Sequence, residues 1–203
     1  MSTFALSRLV VVAAAVVAAL TVGVGDASAA TSYSGQARPL SISAFGASVS
    51  IGDTGALPST GGSKSASLLN LNVLGFATIG LLQGTTSGSG DQSTSQASLV
   101  SVSVPIVGLS VDVVRSQSTA QCNGTTPSVS GSSELVNLTV LGMPISTPMP
   151  SVAIVLPGGI SVLLNEQTST VSGNQASITV NAIHVTGPGI DIVVASAMSD
   201  ITC

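Results

Sequence analysis

Residues 176–203 read ASITVNAIHVTGPGIDIVVASAMSDITC: two runs rich in Val, Ile and Ala, joined by Gly187-Pro188-Gly189 and ending on Cys203. β-Branched residues suit a pleated, half-buried surface, and glycine with proline between two apolar runs marks a turn. The stretch predicts an antiparallel hairpin with a three-residue loop at 187–189. In that register His184 lies across from Ile192. It then shares a mostly apolar face with Ala182 and Val180, which makes it a hydrogen-bonded structural residue.

The same style extends upstream. Val100-Ser101-Val102-Ser103-Val104 alternates strictly, the pattern of a strand with one wet face. Pro105–Gly108 reads as a turn and Leu109–Cys122 as a long strand. Strands are expected at 38–44, 47–51, 135–141, 152–156 and 160–164, with a Pro157-Gly158-Gly159 turn between the last two. Residues 67–82 are apolar, but Asn70, Asn72 and Gly75 favour two strands and a turn over a helix. Loops are expected at 55–65, 83–96 and 123–133, where Gly, Ser, Thr and Pro gather. Leu57-Pro58-Ser59-Thr60-Gly61 has the LPxTG form of a cell-wall sorting signal. It lies far from the C-terminus with no basic tail behind it, so it reads as a turn.

The two halves of the chain resemble each other. Asn70-Leu71-Asn72-Val73-Leu74-Gly75 matches Asn137-Leu138-Thr139-Val140-Leu141-Gly142 at five of six positions, an offset of 137 − 70 = 67. Gln96-Ala97-Ser98 matches Gln175-Ala176-Ser177 at 175 − 96 = 79, and Cys122 matches Cys203 at 203 − 122 = 81. The expected fold is all-β: an antiparallel β-sandwich of about ten strands in a single domain over 31–203. It is built from two related halves at about 62–122 and 131–203.

The first 30 residues read as a cleaved signal peptide. Arg8 supplies the basic start, Leu9–Val24 the apolar run, and Ala27-Ser28-Ala29 the small-x-small cleavage pattern. The run falls short of the roughly 20 residues that span a bilayer. No later stretch is apolar for long enough, so no transmembrane helix is expected in the mature chain. An extracellular setting favours a disulfide between Cys122 and Cys203. Intermolecular pairing or a free terminal thiol is the competing reading.

Composition excludes several functions. Only 6% of residues are charged and 2% aromatic. Without the leader the strong cations are Arg38, Lys64 and Arg115, too few to track a phosphate backbone, and base-stacking aromatics are scarce. Nucleic acid is therefore not an expected partner. The acids are dispersed, with no calcium-loop spacing, and the cysteines and His184 have no zinc spacing. No cofactor and no metal are expected. His184 is the only histidine, and with Glu166 it forms the one weak polar-cluster candidate for acid–base chemistry. No G-x-S-x-G elbow accompanies the pair. No catalytic residue is assigned, and the chain is expected not to be an enzyme.

Three stretches carry a family resemblance: Val162-Leu163-Leu164-Asn165-Glu166-Gln167, Thr179–Thr186 and Asp191–Ala195. Val113-Val114-Arg115-Ser116 before Cys122 adds a fourth. With these the chain resembles the choice-of-anchor P proteins, secreted or surface proteins of actinobacteria. The resemblance implies an extracellular domain that members join to differing C-terminal anchors. Nothing follows Cys203 here, which implies release to the medium or non-covalent attachment. The family brings no activity to transfer. The expected function is a secreted, non-enzymatic β-protein of the cell envelope or extracellular space, with a structural or interaction role and an unidentified partner. An envelope-associated β-barrel or pore-forming protein is the alternative, and a secreted hydrolase a weaker one.

Overall fold

The computed structural model describes residues 31–73, 77–146 and 151–203. The leader reading, the centre of the 67–82 turn and part of the Pro-rich link after Ile145 lie outside these. The described residues form strands β1 (Ser32–Tyr33), β2 (Gln36–Ala44), β3 (Ala47–Ile51), β4 (Gly62–Val73), β5 (Ala77–Ser89), β6 (Gln92–Val104) and β7 (Leu109–Asn123). They continue with β8 (Thr126–Val136), β9 (Thr139–Val140), β10 (Met143–Pro144), β11 (Val152–Leu156), β12 (Ile160–Ser172), β13 (Gln175–Gly187) and β14 (Ile190–Thr202). A short 3-10 turn, Pro105–Val107, joins β6 to β7.

These strands make two antiparallel seven-stranded sheets. The terminal sheet has the order β11-β12-β13-β14-β2-β3, with β1 on the end of β14. The central sheet has the order β10-β9-β7-β6-β5-β4, and β8 lies beside β7. Among the described residues each sheet is open at both edges, β11 and β3 in one and β10 and β4 in the other, so neither closes into a barrel. The described residues hold fourteen strands where about ten were expected. Residues 83–96 and 123–133 are mostly strand rather than loop, because Ser and Thr alternate there with inward residues such as Gly84, Gly88, Pro127 and Val129. Polarity misled at those sites: hydroxyl side chains serve a strand's wet face as well as a loop.

The two sheets pack two long hairpins against each other. The β6–β7 hairpin faces the β13–β14 hairpin. Ser118 and Ser199 share a hydroxyl hydrogen bond of 2.8 Å at a sequence separation of 81. Cys122 and Cys203 form a disulfide at the same separation of 81, with Cα atoms 5.6 Å apart. The strands therefore run side by side in the same direction, β7 starting 122 − 109 = 13 residues before its cysteine and β14 starting 203 − 190 = 13 before its own.

The space between the sheets has three zones along the strands. A large apolar cluster holds Leu40, Leu82, Leu99, Val114, Ile183, Ile192 and Val194. A small one at the disulfide end holds Tyr33, Ala120, Cys122, Ile201 and Cys203. Between them lies a band of buried hydroxyls: Thr86, Ser93, Ser95, Ser116, Ser118 and Ser199. Gly35 lies against this band, and a Cβ there would meet Thr86 Oγ1 at 2.6 Å and Ser95 Oγ at 3.0 Å, so the backbone approaches the hydroxyls as only glycine allows.

A crease crosses each sheet. In the central sheet Leu69 pairs with Leu81 and Leu71 with Ile79, yet the facing residues Asn70 and Gly80 are not paired. The same gap falls at Gly80–Ser101 and at Ser101–Asp112. In the terminal sheet it falls at Asn165–Ala182, Ala182–Ala195 and Ala195–Pro39. No residue is inserted, because the register is the same on both sides. Asn70, Ser101, Asn165 and Ala195 adopt left-handed backbone, with φ of 52°, 55°, 54° and 56°. Such a residue reverses which face the next side chain meets. The in–out alternation accordingly slips by one at this line, and Ala182 and Ile183 are both buried, as are Val194 and Ala195.

Candidate functional site

The crease places the polar cluster that the sequence singled out. Glu166 on β12 pairs across to Asn181 on β13, and His184 lies three residues beyond Asn181. An odd separation along an unbroken strand would put Asn181 and His184 on opposite faces. The slip at Ala182 and Ile183 turns His184 outward, onto the face that carries Asn181 and Glu166. The hairpin loop is also tighter than the composition suggests: Gly187 pairs with Ile190, leaving Pro188-Gly189 as a two-residue turn. That moves the register by one, so His184 lies across from Val193, and Ile192 faces Val185. His184 is therefore not on the face of Ala182 and Val180. Those two are buried between the sheets, and His184 is half-buried on the outer face.

The geometry there is closed. His184 Nδ1 lies 2.8 Å from Glu166 Oε2, and His184 Nε2 lies 3.2 Å from Asp191 Oδ2. Asn181 Nδ2 donates to the same Glu166 oxygen at 2.8 Å. Beneath them, Gln167 Nε2 and Ser133 Oγ each donate to Asn165 Oδ1 at 2.9 Å. Asn tolerates left-handed backbone better than most residues, so Asn165 serves the crease and links β12 to β8. Burial alone would lower the His184 pKa. The hydrogen bonds to Asp191 and Glu166, with their charges, outweigh it and hold the pKa above 6.5.

A histidine between two carboxylates is a poor general base. Both ring nitrogens are engaged and the imidazolium is favoured, so no lone pair is aimed at a nucleophile. The arrangement instead ties β12, β13 and β14 together on their outer face. Among the described residues, no group of three His, Cys, Asp or Glu side chains is set to hold a metal ion. None of the described residues belongs to a helix long and apolar enough to cross a membrane. Comparisons with protein-family models, curated proteins and solved structures found no match to this chain.

The cluster has a pH signature. A histidine whose folded pKa is raised adds stability that is fully present below its unfolded pKa, near 6.5, and is lost as the pH rises through the folded value. His184 is the only histidine, so the melting temperature should fall as the pH rises above about 6.5. His184→Gln should flatten that slope. A native slope unchanged by the substitution would show that the carboxylates do not hold the ring.

A second polar site escaped the sequence reading. Asp53 accepts from Gln36 Nε2 at 2.7 Å, from the Gly55 amide at 2.7 Å and from Arg38 Nε at 3.2 Å. Burial pushes its pKa up, but these donors and the Arg38 charge win and hold it low. The cluster pins the loop after β3 onto β2. The spacing of Gln36, Arg38 and Asp53 carries no signature, and only the hairpin turn brings them together. The LPxTG-like segment lies in the same loop: the Gly61 amide donates to Pro58 O at 2.9 Å, and Leu57 is buried. A segment folded in this way is a turn.

Proposed function

We infer that this chain is a secreted, non-enzymatic β-sandwich that works at the cell envelope or in the extracellular space through its surfaces. The observation that carries the reading is the Cys122–Cys203 disulfide. It joins the ends of two long strands and uses both cysteines of the chain, a bond that persists in oxidising compartments. The leader-like residues 1–30 and the short motifs shared with choice-of-anchor P proteins support the same location. The closed His184–Glu166–Asp191 cluster supports a role without catalysis, since it offers no free acid–base group to a substrate. The surface is nearly free of charge, and Ser, Thr, Asn and Gln make it polar. A binding partner would therefore be met by hydrogen bonds and apolar contact rather than by long-range attraction.

Mass spectrometry of the medium of producing cells tests the reading. The expected species starts after Ala29 or Ala30 and carries the oxidised cysteine pair. A chain found only inside the cells, with residues 1–30 retained and both thiols free, would overturn it.

A further inference from the structure

The two ends of the sandwich are chemically different. At the disulfide end the tight turns are polar: Gly90-Asp91, Asn123-Gly124-Thr125 and Gly173-Asn174. At the other end lie the turns Phe45-Gly46, Pro105-Ile106-Val107, Leu141-Gly142, Pro157-Gly158-Gly159 and Pro188-Gly189, with Met143 of β10 and Val155 of β11 beside them. None of these turns contains a charged residue. The nearest charges, Asp191 and Asp112, lie behind them on the strands and are held by His184 and Asn137. The large side chains at this end point into solvent: Val155 is 80% exposed, Phe45 76%, Met143 59% and Leu141 53%. Short hydrogen bonds link the turns in pairs. The Phe45 amide donates to Gly189 O at 2.9 Å, and the Leu141 amide donates to Gly108 O at 2.9 Å.

Turn formation does not explain these residues. Phe45 and Leu141 have left-handed backbone, with φ of 50° and 51°, and each is followed by a glycine that also has positive φ. Two successive residues of this kind in a hairpin turn favour Asn-Gly or Asp-Gly. A bulky apolar residue in the first position is strained, and strained residues cluster where function holds them. At the opposite end glycine takes the left-handed turn position, with φ of 61° at Gly90, 63° at Gly124 and 58° at Gly173. At this end turn stability has been given up for protruding apolar side chains.

We propose that this end of the sandwich inserts into the acyl layer of a lipid membrane with neutral headgroups. The shape suits a fluid layer. The apolar groups protrude from neighbouring turns and strand ends that touch in pairs, Phe45 beside Gly189 and Leu141 beside Gly108, and a fluid layer can close around each of them. The lack of charge removes any requirement for anionic headgroups. The proposal rests on the extracellular reading above, since such a membrane would be met from outside the cytoplasm. The chain would sit on the membrane by its turns without spanning it.

The test uses the mature, disulfide-bonded chain with phosphatidylcholine vesicles. Flotation should carry the protein with the vesicles, and high salt should not release it. Phe45→Asn with Leu141→Asn should reduce the bound fraction by about tenfold or more, since two protruding apolar groups are lost. The melting temperature of that variant should be equal or higher, because Asn suits both backbone positions; a misfolded variant is thereby recognised. The chain contains no Trp, so Phe45→Trp provides a single reporter whose emission should shift to the blue only when vesicles are added. No flotation of the native chain, or equal flotation of the Asn variant, would overturn the proposal. So would a blue shift that follows protein concentration without lipid, which would make the occupant a second copy of this chain. The secretion result is independent: a chain retained in the cytoplasm refutes the location, and vesicles that fail to bind refute only the membrane contact.

Discussion

Replacing Cys122 and Cys203 together by alanine should lower the unfolding free energy by about 4–5 kcal/mol, measured by denaturant titration. The bond closes a loop with a sequence separation of 81, and loop-closure entropy for that length sets the size of the effect. For a domain of this size the melting temperature should drop by roughly 10–15 °C. The position of the bond argues against a smaller value. It lies beyond the buried hydroxyl band, in a small cluster with Tyr33, Ala120 and Ile201, so little apolar packing remains to hold the ends of β7 and β14 when it is gone. Alanine avoids adding hydroxyls to a region already rich in them. A loss below about 1 kcal/mol would show that the unfolded chain is already compact around this pair.

Ile183→Ala should cost about 3–4 kcal/mol, near the middle of the range for a buried large-to-small change. Two arrangements of β13 give different results. If β13 alternated without interruption and Ala182 faced inward, Ile183 would face solvent and its truncation would cost about 0.5 kcal/mol or less. The crease makes Ile183 fully buried, with Ala182 buried beside it. Thr179→Ala, on the outer face of the same strand, is the control and should change little. Equal, small losses at both positions would refute the crease and, with it, the explanation of how His184 comes to meet Glu166.

The candidate site was half legible. His184 and Glu166 stand out as rare residues in an uncharged chain, and a structural role was the natural reading. Their pairing as one cluster could be suggested from residue type, but the geometry of the contact was not legible, because it depends on left-handed backbone at Asn165 and Ala195. Asn at such a position leaves a trace in residue type. Ala does not, since nothing in its chemistry favours positive φ. Asp191 was recognisable only as a nearby acid until the Pro188-Gly189 turn set the register of β14 against β13. The Asp53 cluster was invisible because its members are common polar residues joined by a hairpin. The buried hydroxyl band left a faint sign in the inward positions Ser93, Ser95, Ser116 and Ser118, which keep step with Ala97 and Val114. Serine at those positions reads equally well as a wet face.

The β class, most of the strands, the hairpin at the C-terminal end and the pairing of two cysteines follow from residue types and short spacings. Side-chain period, turn chemistry and cysteine count are local properties, and they survive without neighbours. The number of strands, the crease, the outward turn of His184 and the gathering of five apolar turns at one end required the packed sheets. A strand's facing is set by hydrogen bonds to other strands, and two turns become neighbours only when the chains that carry them run side by side. The hairpin of residues 176–203 shows both kinds of determination. Its strands and the place of its turn could be read directly, but the length of the turn was set by the Gly187–Ile190 pairing, and which of its side chains face the core was decided by a kink shared with the strands on either side.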